Sequence, residues 1–281
     1  MITNGGYRQR PESFALRRGE ATGYFFEMLG AMLSGRAPLS ATLLFYVALV
    51  IAACAFAALL YSLWPPEAPN ATQDKYDVSE LTWDTSSRDF KDLSRYTKLE
   101  RLSLSNTEIT NLKALIPMTE LRVLDISGTR VADLSPLSEL ENLTELRAYE
   151  TQVVDLAPLS RLKNLRVLLL DSTLITDLAP LQGLPQLTEL GISETKVSDL
   201  GPLSTLTELT ELNADNTGVS DISPLGSLHR LKRLYLSDTQ VAQVAPLRGI
   251  SELKLLNLTN TPVTDEGLLA DRKNLKIIRT S

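Results

Sequence analysis

Apolar residues return in a fixed order along most of the chain. The segment "ETQVVDLAPLSRL" (150–162) recurs as "STLITDLAPLQGL" (172–184) and as "ETKVSDLGPLSTL" (194–206). Aligned on one phrase, leucines stand at Leu99, Leu121, Leu143, Leu165, Leu187, Leu209, Leu231, Leu253 and Leu275, each 22 residues after the last. An ungapped period of this size predicts a solenoid with one structural turn per repeat, because a single turn cannot bury its own leucines and stacked turns can. Within Leu143–Asn164 the spacing turns Leu143, Leu146 and Ala148 inward and predicts a short strand over Leu146–Tyr149, with side chains alternating between faces. Val153, Leu156, Leu159 and Leu162 complete the lining.

The polar positions are as regular as the apolar ones. Threonine follows the strand at Thr107, Thr129, Thr151, Thr173, Thr195, Thr217, Thr239 and Thr261. Such regularity predicts a column of buried hydroxyls bonded to the turning backbone, since buried backbone groups need partners. Aspartate recurs as Asp133, Asp155, Asp177, Asp199, Asp221 and Asp265, where a carboxylate can cap the short helical turn that follows. A proline such as Pro158 suits the first turn, where a missing N–H costs little.

These positions together resemble the leucine-rich repeat pattern L-x-x-L-x-L-x-x-N-x-L, in its 22-residue internalin-like subtype. The resemblance runs from near Val78 to the end. It implies an α/β-type solenoid: an arc with a parallel sheet on its concave face and short helical turns or loops on its convex face. Three departures stand out. Threonine replaces the asparagine the family often carries, which changes the backbone-bonding partner and not the fold. The front, "DVSELTWDTSSRDFKDL", is out of step by about one residue and reads as a capping turn, with Leu81 and Trp83 over the core end. The back, "TPVTDEGLLADRKNLKII", loses the D-L-x-P-L phrase and is expected to form a longer helix before a final strand. The cysteine-rich caps of vertebrate extracellular members are missing, which points to a bacterial envelope protein.

A different pattern lies upstream. Residues 39–64 read "LSATLLFYVALVIAACAFAALLYSLW" and hold no charge. A run of about 20 apolar residues spans a bilayer as a helix, so one transmembrane α-helix is expected there. Tyr61 and Trp64 suit the interface, and Pro65 and Pro66 end the helix. "IAAC" before Cys54 resembles a lipoprotein box, but the residues after it stay apolar, so Cys54 is read as lipid-facing rather than acylated. Arg17, Arg18 and Arg36 before the run, against Lys75 after it, place the N-terminus in the cytoplasm. The resulting division is a cytoplasmic tail (1–38), a membrane helix (39–64), a polar proline-rich linker (65–76) and a repeat domain (77–281). The expected location is the cytoplasmic (inner) membrane, with the repeats periplasmic or extracellular.

Composition narrows the chemistry. The formal net charge of −6 argues against a nucleic-acid binder. One cysteine excludes an intramolecular disulfide, and with a single histidine, His229, it excludes a site built on paired His or Cys ligands. There is no phosphate loop, metal spacing or Ser–His pairing, so no enzyme activity, cofactor or metal is expected. No loop supplies converging ligands for calcium.

A binding site is expected among the variable columns that flank the inward leucines. One column includes Arg147, Leu169, Gly191, Asn213, Tyr235, Asn257 and Arg279; the next includes Tyr149, Asp171 and Asp215; a third includes Val123, Glu145, Val167, Glu189, Glu211 and Arg233. Tyr149, Val167 and Leu169 are expected to form an exposed apolar patch, with Gly191 leaving a dip beside Leu169. Glu150, Asp171, Glu194, Asp215 and Asp238 make one edge acidic and suited to a basic partner. The candidate partner contacts are Arg147, Tyr149, Val167, Leu169, Asp171, Asp215 and Tyr235. The expected function is recognition of an unidentified protein by a membrane-anchored arc. The alternatives are an accessory subunit held in a membrane complex by the small residues Ala48, Ala52 and Ala55 of its membrane helix, and an internalin-like surface adhesin.

Overall fold

The fold comes from a computed structural model, which describes residues 78–83, 90 and 92–279. The tail, the expected membrane helix with Cys54, and the linker lie outside the described residues. Among the described residues no helix is long and apolar enough to cross a membrane.

Among the described residues ten strands of three residues each form one parallel sheet in chain order. They are β1 (Glu80–Thr82), β2 (Arg101–Ser103), β3 (Val123–Asp125), β4 (Glu145–Arg147), β5 (Val167–Leu169), β6 (Glu189–Gly191), β7 (Glu211–Asn213), β8 (Arg233–Tyr235), β9 (Leu255–Asn257) and β10 (Lys276–Ile278). The β4 strand begins and ends earlier than the alternation implies, because the chain leaves the ladder once it enters the threonine turn. Between strands the chain crosses the convex side in 3-10 turns of three to five residues, such as Ala157–Arg161 and Ala179–Gly183. No described residue is in an α-helix, so the α part of the expected α/β class is a 3-10 turn. A 22-residue period leaves room for one tight turn there, and 3-10 geometry suits runs this short.

The apolar lining is as the spacing implies. Leu143, Leu146, Ala148, Val153, Leu156, Leu159 and Leu162 are each at most 1% exposed. All eight threonines of the column are buried, and each hydroxyl donates to the carbonyl three residues before it, at 2.6–2.7 Å. The residue just before each threonine takes a left-handed backbone, from Asn106 to Asn260, with Gly128 in the same column. Asn, Asp and Gly tolerate that conformation; Glu150, Ser172 and Glu194 adopt it at a cost.

The ends depart from the 22-residue step. Glu80 pairs with Arg101 and Lys276 with Leu255, intervals of 21. The last pairing places Ile278, not Arg279, opposite Asn257. Arg279 instead reaches Glu266 at 2.9 Å and the Thr261 carbonyl at 3.0 Å. The expected longer helix near the C-terminus is a four-residue 3-10 turn, Glu266–Leu269. At the front Leu81, Trp83 and Phe90 pack on the core, and Trp83 stacks on Phe90 and meets Tyr96 edge-on.

Candidate partner-binding face

On the concave face, each strand turns its middle residue into the core and its two outer residues outward. Parallel pairing then aligns the outer residues into ladders about 4.8 Å per step. One ladder runs Glu145, Val167, Glu189, Glu211, Arg233; the other runs Arg147, Leu169, Gly191, Asn213, Tyr235.

Gly191 breaks the second ladder. With no side chain at that step, Leu169, Asp171, Glu189, Glu211, Asn213 and Tyr235 enclose a hollow of 290 Å³. The Asp171 carboxylate leans over Gly191, where a Cβ would collide with it. It is held there by Ser193, whose backbone N–H donates at 3.0 Å and whose hydroxyl donates at 2.6 Å. Asp215 repeats this arrangement two steps along the arc, accepting from the Ser237 N–H at 2.5 Å. Both acids therefore serve the backbone of the next repeat as well as facing solvent. Burial pushes the Asp215 carboxyl up from its usual range; the Ser237 bonds oppose that, and Asp238 and Asp171 add to it.

The sheet also sets Glu189 directly across from Glu211. Glu211 is answered by Arg233, whose Nε donates at 2.7 Å. Glu189 has no ion pair or side-chain hydrogen bond among the described residues. Its carboxyl is raised above its usual range, first by burial and then by Glu211. Burial likewise pushes the Tyr235 phenol up.

Three of the sequence candidates, Leu169, Asp171 and Tyr235, meet at the hollow. The others lie elsewhere on the arc. Arg147 is exposed and paired with Glu145 at 2.6 Å, beside a shallower depression nearer β1. Asp215 lines a third, wider depression with Glu194 and Asp238. Of the expected apolar patch only Tyr149 is exposed, and that to 38%; Val167 and Leu169 are half-buried among their ladder neighbours. The more exposed apolar residues, Ile116, Val154, Leu174 and Leu268, lie outside the strands. Glu189, Glu211 and Asn213, which the sequence places in the outward columns but not among the candidate contacts, complete the hollow. Their signal was present: two glutamates 22 residues apart in one outward column must become neighbours. His229 is exposed.

Comparison with known proteins gives the same architecture. A family model for paired leucine-rich repeats matches residues 97–139, 185–227 and 207–249. Over those residues the chain carries leucine-rich repeats. Its structure is similar to that of internalin C2 from Listeria monocytogenes, with a TM-score of 0.63 and 29% identity over 67% of this chain and 83% of that one. A second internalin of the same organism aligns with a TM-score of 0.64 and 24% identity, covering 74% of this chain and 69% of that one. The ectodomain of an Arabidopsis thaliana membrane receptor kinase, solved in complex with Casparian strip integrity factor 2, shares the fold at TM-score 0.60 and 21% identity, covering 66% of this chain and 24% of that one. Comparison with curated protein sequences finds no match. Leucine-rich repeat proteins of this kind are typically non-catalytic, and their repeat domains bind protein partners. The repeat domain resembles those of internalins.

Proposed function

We propose that this chain is a single-pass membrane protein that presents its concave face to a protein partner outside the cytoplasm. The observation that carries the reading is the contrast between the two sides of each strand. The inward ladder is leucine at every step from Leu102 to Leu256, while the outward ladders change residue at nearly every step and lie open. Invariant burial with variable display is what a stack of repeats offers to a partner. The anchoring part of the reading rests on sequence: the uncharged run 39–64 is long enough to span a bilayer, and the arginines before it favour a cytoplasmic N-terminus. Anchoring would raise the local concentration of the arc near a membrane-bound partner.

The test is affinity capture of the tagged full-length protein from gently solubilised membranes, beside Leu169→Glu and Ala52→Leu variants. Loss of the captured partner with Leu169→Glu, at unchanged melting temperature, is the expected result. Retention with Leu169→Glu and loss with Ala52→Leu would transfer the binding to the membrane segment, as an accessory subunit requires.

A further inference from the structure

The hollow over Gly191 has an unequal charge distribution. Three carboxylates, Asp171, Glu189 and Glu211, line it, and no lysine or arginine does. Setting like charges directly across adjacent strands costs stability. Arg233 offsets that cost at Glu211, from the far side of β7. On the other side of Glu189 the ladder continues with Val167, which is neutral. Glu189 is thus a half-buried acid beside another acid, with no direct ion pair among the described residues; Arg233 and Arg147 act on it only at longer range, each being bonded to another glutamate. The walls are not purely polar. Leu169 stands opposite Gly191 on β5, and the Tyr235 ring closes the far end. An aliphatic stem can lie along such walls while its charged head meets the carboxylates. A metal ion is a poorer fit: among the described residues no group of His, Cys, Asp and Glu could hold one.

We propose that this open stretch of sheet, from β5 to β8, docks an extended basic segment of a protein partner, with one arginine or lysine side chain entering the hollow against Glu189. This inference rests on the reading of the concave face as the partner surface and adds the partner's chemistry to it. The step of about 4.8 Å between adjacent strands lets an extended chain crossing them place a further side chain beside Asp215. Charge complementarity across such a surface sets which partners are accepted and how fast they arrive.

The full-length protein in detergent is panned against a phage-displayed library of random dodecapeptides. Selected sequences should share a lysine or arginine at one position. A synthetic peptide of that sequence should bind Glu189→Gln about tenfold more weakly than wild type, as expected for loss of a charge-assisted contact. It should bind Glu139→Gln, which alters a convex acid paired with Arg161, as wild type does. Selected peptides with no basic position, peptides whose affinity for Glu189→Gln falls less than twofold, or a failure to select any peptide would each overturn the inference. Peptides that are not basic but lose binding to Leu169→Glu would leave the concave face as the partner surface and remove only the charge assignment. Peptides that bind Leu169→Glu as tightly as wild type would remove both.

Discussion

Glu189 shows how one residue can oppose the fold it belongs to. Its folded carboxyl titrates above its unfolded value, chiefly because burial disfavours the charge. The folded state therefore holds the proton more tightly than the unfolded chain does. Stability falls as pH rises through the window between the two values, and above that window the penalty is complete. Glu145, Arg147, Glu211 and Arg233 are the charged groups that modulate it. Glu189→Gln should therefore stabilise the free protein at pH 7, by no more than about 0.5 kcal/mol given the solvent exposure of the site. That is a rise in melting temperature of roughly 1–2 °C. In thermal melts across pH, the difference should vanish once the medium is acidic enough to protonate Glu189 in both states. A variant less stable than wild type at pH 7 would refute this account. The threonines work in the opposite sense, since each buried hydroxyl satisfies a carbonyl at a bend where no strand partner is available.

At the scale of elements, the convex turns begin in a common way. The Oδ1 atoms of Asp133, Asp155, Asp177, Asp199 and Asp221 accept the backbone N–H two residues on, at 2.7–2.8 Å. Those bonds hold the exposed Asp133 and Asp221 carboxyls below their usual range, through the side chain and backbone of Ser135 and the backbone and side chain of Ser223 respectively. Position 243 breaks the series, because it carries glutamine. There Asp265, one repeat further, reaches back and accepts from the Val244 N–H at 2.7 Å and the Ala245 N–H at 3.0 Å. One repeat thus caps the turn of its neighbour. Asp265→Ala should cost about 1 kcal/mol. In a Gln243→Asp background, where the cap is restored within its own repeat, the same change should cost much less. A double-mutant cycle in urea reads the difference directly, and equal costs in both backgrounds would show that Asp265 acts in some other way.

Across the whole molecule, each repeat contacts its neighbours in the stack, so the open ends need special treatment. The front is closed by the Trp83, Phe90 and Tyr96 rings. The back is closed by cations. Arg272 stands 22 residues after the buried Ile250, in a core column, and bonds the carbonyls of Leu247, Ile250 and Leu253. Among the described residues a charged head covers those groups while remaining half-exposed to water. Arg272→Ala should weaken the last repeat by about 1–3 kcal/mol, since it removes hydrogen bonds from a charged donor and leaves the Leu253 carbonyl without its partner, while the Leu247 and Ile250 carbonyls keep the N–H groups of Ile250 and Leu253. Native-state hydrogen exchange should show faster opening around β9 and β10, with β3 to β5 unchanged. Uniform acceleration along the arc would mean that the stack unfolds as one unit.

Much of this architecture was legible in the linear pattern because each repeat meets a copy of itself. The period alone dictates that Leu146 lies beside Leu168 and that Thr151 lies one step from Thr173, and both follow without knowledge of the rest of the chain. The aspartate caps were legible for the same reason, as local chemistry between residues two apart. What needed three dimensions was everything set by a break in the repetition. Gly191 opens a hollow only because Asp171 folds over it and Tyr235 stands two strands away. Glu189 has no direct ion pair because Arg233 bonds Glu211 and Arg147 bonds Glu145. Asp265 caps a turn that is not its own, and the last strand pairs at 21 residues rather than 22. Identical neighbours make contacts that a period predicts; unlike neighbours compete for partners, and only the tertiary structure decides which pair forms.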